Sequence, residues 1–190
     1  MKLLYNPFEK TPENKLLLIG TAAMIAGSVV AWLLNCRFTA MLNIYPGVAT
    51  EIWQPLLENI IIVGSIAILL MILGLFANKK TRPVDILNAS LIARIPFYLL
   101  PLANIDNFLA DVIPATPPKD LKEIHFSNTD YALLMIVSFI TIGLLIWSMA
   151  LLYNGFKVAT YYKSTWFTIL FILAVIIANT LSGILISLIP

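Results

Sequence analysis

Arg94, Glu58 and Asn179 stand inside long runs of apolar residues. A guanidinium, a carboxylate and an amide held away from water could share a proton or bind an ion, which is the chemistry of a polar site within a membrane. Ser90 and Tyr98 flank Arg94 at i−4 and i+4, so on a helix their hydroxyls share its face. An unpaired arginine at mid-bilayer costs about 2.5–3.5 kcal/mol on insertion scales, so Arg94 must face the bundle or reach an interface. Asn179 is its expected partner, because helix rise puts Arg94 ~15 Å and Asn179 ~20 Å from the same side. Glu58 lies about two turns inside the other end of its run, beside the interface anchor Trp53, and Arg37 is its nearer basic partner. Together, Arg94, Asn179, Glu58, Ser90 and Tyr98 are the candidate intramembrane polar site.

Catalytic signatures are missing. The chain has no HExxH, no GxSxG, no glycine-rich phosphate loop and no cysteine–histidine pair. One histidine, His125, and one cysteine, Cys36, leave neither a metal site nor a triad, and a lone cysteine makes no intrachain disulfide. Glu58 is the only acid well within an apolar run, so two-carboxylate catalysis lacks its second acid. No catalytic residue, metal or cofactor is expected, and the reading is non-enzymatic. A net charge of +2 is too small to suggest nucleic acid as a partner.

The elements that must position these residues are membrane helices. Hydrophobic residues make up 60% of the chain and charged residues 12%, the latter about half the usual fraction of a soluble domain. A span needs roughly 20 mainly apolar residues. Five runs qualify, at about 16–34, 52–76, 84–103, 131–153 and 166–189. The fold class is therefore an all-α polytopic bundle of five transmembrane helices, with residues 1–15 as a tail and 16–190 as one membrane domain. The first run exceeds the ~7–15 apolar residues of a signal peptide and is followed by Asn35-Cys36-Arg37, so it reads as a retained span.

Punctuation sharpens the boundaries. Thr11 is a candidate cap for the first span, with Pro12 at the first helical position and Glu13 in the first turn. Pro83 and Asp85 repeat that pattern, and Ser127 to Asp130 offer caps for the fourth span. Pro96 should kink the third, which ends near Pro101. In the long connection from Asn104 to Asp130, the spacing of Ile105, Phe108, Leu109, Val112 and Ile113 predicts a short amphipathic helix at the outer surface. Pro114, Pro117 and Pro118 then end it. Ala23, Gly27 and Ala31, and likewise Ala174, Ala178 and Ser182, form small-residue ridges for close helix contact within the chain or in a homodimer. Tyr153, Tyr161, Tyr162 and Trp166 look like an interfacial aromatic belt.

Basic residues set an expected orientation. Lys2, Lys10, Lys15, Lys79, Lys80, Arg82, Lys157 and Lys163 fall on one side of a five-span chain, against Arg37, Lys119 and Lys122 on the other. The richer side is expected to be cytoplasmic, which leaves the C-terminus outside. In a bacterium that would be the inner membrane.

Several stretches resemble the Yip (Ypt/Rab-interacting protein) membrane family, in the form of its short prokaryotic-type members. They are Lys79-Lys80-Thr81-Arg82-Pro83, then Leu87-Asn88-Ala89-Ser90 and Ala93-Arg94-Ile95-Pro96. Leu151 to Thr160 and the opening Asn6-Pro7-Phe8 extend the likeness. The resemblance implies five spans, a cytoplasmic N-terminus and no catalytic motif. Eukaryotic relatives engage Rab GTPases through a larger cytosolic N-terminal region. Only about 15 residues precede the first span here, so GTPase binding is not expected. The expected role is to bind membrane partners or organise lipid. The alternative is a small transporter or channel-like protein built around Arg94, Glu58 and Asn179.

Overall fold

A computed structural model describes residues 2–46, 51–112, 127–162 and 164–189. It is an all-α bundle in which five helical segments are long and apolar enough to cross a membrane. After a short helix α1 (Lys2–Tyr5) and a 3-10 turn at Pro7–Glu9, α2 runs over Glu13–Leu33. A two-stranded antiparallel hairpin follows, β1 at Cys36–Ala40 and β2 at Asn43–Pro46. Next come α3 (Trp53–Ala77), α4 (Pro83–Ala93), a 3-10 segment over Ile95–Asn107 that is interrupted by non-helical backbone at Asn104, Ile105 and Asp106, and α5 (Phe108–Val112). The chain ends with α6 (Asn128–Thr160) and α7 (Thr165–Ser187).

The third segment is the hub. α4 packs on α2, α3 and α6, while α7 lies along α3. Pro96 changes the type of this helix instead of simply kinking it. Proline has no N–H to give to the carbonyl four residues back. The chain shifts to i→i+3 bonds there, with Arg94 N donating to Leu91 O and Phe97 N to Arg94 O. A 3-10 helix rises ~2.0 Å per residue against ~1.5 Å, so the segment still gains height quickly.

Two sequence expectations change and one holds. α2 begins at Glu13 with Pro12 in the cap position and no side-chain capping bond, so Thr11 does not cap it. Ser127 does cap α6, in a reciprocal pair with Asp130. The predicted outer helix forms only at Phe108–Val112, because Asp106 and Asn107 take positive φ values of 56° and 59° that break the pattern before it. That short helix is tied to the bundle through Asn104, whose Oδ1 accepts from Ala110 N while its Nδ2 donates to Leu34 O. Ile113 to Pro118, His125, Lys119, Lys122 and Lys163 lie outside the described residues.

The aromatic belt divides. Tyr153 and Tyr162 stack with Phe156, Phe167 and Phe171 where α6 turns into α7. Tyr161 and Trp166 stay exposed. The ridge on α2 is used within the chain. A Cβ on Gly27 would overlap the Tyr98 ring, and one on Gly20 would lie 2.7 Å from Leu91 Cβ. Gly64 of α3, by contrast, has nothing within 4 Å of that position.

Gly27→Leu should therefore push the 3-10 helix off α2 and cost at least the ~1–3 kcal/mol of an overpacked core. Gly64→Ala should be neutral or slightly stabilising. Thermal melting in detergent checks the pair, and equal melting points would refute the contact.

Candidate functional site: a hairpin held inside the bundle

The sequence gives no sheet signal as strong as its helical ones, yet the most polar part of the bundle is built around β1 and β2. The hairpin packs against α2, α3 and α7. Alternate residues of β1, Cys36, Phe38 and Ala40, are buried, as a strand's two-residue period requires. A hairpin among apolar helices must have its backbone groups satisfied by protein, since hydrocarbon offers no partners.

α3, α7 and the end of α4 supply them. Glu58 on α3 accepts from Phe38 N (2.8 Å) and from Arg37 Nε (2.5 Å). On α7, Ser182 Oγ accepts from Met41 N (3.2 Å) and Asn179 Oδ1 from Leu42 N (3.0 Å). Arg94, at the end of α4, donates through Nη1 to the Met41 carbonyl. Both sides of the turn are thus tied to side chains that look misplaced in an apolar run.

Arg94 is 1% exposed. Its Nη2 donates to Asn59 Oδ1 (3.1 Å), and Asn59 Nδ2 donates to Ser28 Oγ (2.9 Å). Ser28 in turn donates to Met24 O on its own helix. The guanidinium carbon lies 5.4 Å from the Phe38 ring centre, 4.9 Å from Phe97 and 5.7 Å from Tyr98. Arg94 Nε and the Tyr98 hydroxyl have no hydrogen-bond partner among the described residues. The charge is met by a carbonyl, an amide and three ring faces, with no carboxylate within ion-pair distance among the described residues.

The predicted site is therefore partly regrouped. Arg94 and Asn179 do not bond to each other; they hold neighbouring groups of one hairpin turn, Met41 O and Leu42 N. Glu58 pairs with Arg37 as expected, and it is fully buried. Tyr98 joins Arg94 through its ring. Ser90 does not join the site, because its hydroxyl bonds back to Ile86 O on its own helix. Sequence reasoning missed Asn59, Ser28 and the hairpin. The alternation in Cys36-Arg37-Phe38-Thr39-Ala40 was the available signal, masked by its position in a short connection.

Cys36 reports on this docking. It is buried, and burial pushes its thiol up to about 11 from an ordinary 9.0. The thiolate is the reactive form. Iodoacetamide labelling of the folded protein should be slow and should keep rising about tenfold per pH unit from 8 to 10. An early plateau near pH 9 would show an accessible, ordinary thiol. Arg94→Ala should leave two buried acceptors unpaired at about 1–3 kcal/mol each, lower the melting point and speed Cys36 labelling at least tenfold. Unchanged labelling and melting would remove Arg94 from the hairpin's support.

No family model, no curated protein and no solved structure matches this chain.

Proposed function

We propose that this chain is a non-enzymatic, multi-pass membrane protein of the Yip-like type that binds membrane partners or organises lipid through its basic end. One observation carries the reading. The two intramembrane charges of the candidate site and the amide beside them are sealed and hydrogen-bonded within the protein, with Glu58 and Asn59 at 0% exposure and Arg94 at 1%. A transport path would need such groups to face water or a moving ion.

The basic end differs. A cavity of about 240 Å3 there is lined by Glu13, Arg82, Asp85 and Asn88 among others. A second, of about 500 Å3, is lined by Asn6, Glu9, Asn154, Lys157 and Tyr161 among others. The charge distribution supports a cytoplasmic position for this end, with the C-terminus on the other side. The expected partners are lipid, another membrane protein or a second copy of the chain.

Photo-crosslinking from Tyr161, which is exposed at this end, tests the proposal in native membranes. Specific protein or lipid adducts are expected. Recovery of neither would overturn it, as would solute or proton flux in proteoliposomes that is abolished by Glu58→Gln.

A further inference from the structure

The polar cavity at the basic end does not stop at its own walls. It shares Thr11 and Leu16 with an apolar groove of about 320 Å3 that also takes in Ile19, Ile92, Trp147 and Leu151. Two helices change character in step. On α2 the lining passes from Glu13 to Ile19 and on α4 from Asp85 and Asn88 to Ile92, while α6 borders both spaces, with Gly155 and Ala159 at the cavity and Leu151 and Trp147 along the groove. Both progressions run inward from the basic end, so the groove continues the cavity into the bundle. The outer wall is the N-terminal segment, fixed on α6 by Trp147 Nε1 donating to Leu4 O (2.7 Å) and Asn154 Nδ2 to Tyr5 O (2.9 Å).

The polar part has an unmet need. Asn88 is 2% exposed, and its Nδ2 donates to Glu13 O (3.1 Å). Its Oδ1 is buried without a partner. An unmet buried acceptor is costly, and the residue that carries this one lines the cavity. Asp85 shares that wall. Arg82 is committed to Glu13 at 2.7 Å, and Asp85 makes no ion pair among the described residues. Lys15 lines the neighbouring groove and makes no ion pair among the described residues. The site thus joins hydrogen-bond acceptors in the cavity, the Thr11 hydroxyl that borders both spaces, the Lys15 ammonium beside the groove, and an apolar channel.

We propose that this composite site holds one zwitterionic phospholipid with a primary-amine headgroup. Its ammonium donates to Asn88 Oδ1 and Asp85, its phosphate meets Lys15 and Thr11, and one acyl chain lies in the groove. A quaternary amine has no N–H for Asn88, and an anionic glycerol headgroup puts no cation beside Asp85. The inference deepens the lipid-organising reading above and rests on it.

The test is lipid retention. Chain purified from mixed dioleoyl-phosphatidylethanolamine, -phosphatidylcholine and -phosphatidylglycerol nanodiscs is delipidated with detergent and weighed by native mass spectrometry. One phosphatidylethanolamine should remain per chain, at least tenfold enriched over either competitor. Asp85→Asn should erase most of that preference, and Asn88→Leu should abolish retention. Cys36 protection from labelling confirms that each variant is folded. Equal retention of all three lipids, no retention, or full preference in a folded Asp85→Asn variant would overturn the site. Loss of lipid retention alongside specific protein crosslinks at Tyr161 sinks the site and spares the broader reading. Glu58-dependent flux sinks that reading whatever the lipid result.

Discussion

The hydrogen bond from Arg94 to the Met41 carbonyl is where the packing of the bundle and the path of the chain meet. β1 and β2 reverse direction among apolar helices, and a reversal exposes backbone groups that no ladder can pair. Met41 N, Leu42 N and Met41 O are those groups, and Ser182, Asn179 and Arg94 answer them. The partners come from two helices that are not adjacent in sequence, and Glu58 from a third holds the strand's other end. Docking the hairpin therefore fixes the relative height of α3, α4 and α7. The shift of α4 into a 3-10 helix belongs to the same constraint, since it ends the α-helix at Ala93 and lets Arg94 leave the helix axis toward the turn.

Buried Arg94 and half-buried Arg37 solve different electrostatic problems. Arg37 and Glu58 neutralise each other at 2.5 Å. In a low-dielectric interior such a pair is favourable only when its remaining hydrogen-bonding capacity is filled, and the Phe38 amide fills the second carboxylate oxygen. Arg94 keeps its charge, balanced by dipoles and ring faces. Aromatic faces carry the negative side of a quadrupole, so Phe38, Phe97 and Tyr98 stabilise the cation without offering it a proton acceptor.

How much of this could be read from the residues depended on the range of the signal. Spans follow from local composition, and their number and approximate limits hold because hydrocarbon thickness sets a minimum length. The Ser127–Asp130 cap and the start at Pro83 are likewise local. Arg94 and Glu58 were legible as expensive residues needing partners, and Arg37 as the partner of Glu58. The Arg94 partner was not legible. Matching depths favoured Asn179, but depth is one coordinate, and Asn179 answers a backbone amide instead. The competing partner, a carbonyl at residue 41, carries no side-chain signature at all. Ser90 failed for a related reason, because a buried serine can satisfy itself on its own helix by bonding the carbonyl four residues back.

The same accounting separates the two polar regions. In the hairpin region nearly every buried polar group has a partner within the protein, and the exceptions, Arg94 Nε and Tyr98 OH, lie where the ring contacts of the guanidinium close the space. At the basic end, Asn88 Oδ1 is orphaned beside an open volume. A fold that satisfies a β-turn with three separate side chains is not short of means to satisfy one amide. An acceptor left unmet on a residue lining a channel that turns from polar to apolar along α2 and α4 fits the proposed lipid, which is polar at one end and apolar at the other. In that site, hydrophobic burial of one chain and directed bonding of one amine would act together, and neither would suffice alone against the competing lipids of the bilayer.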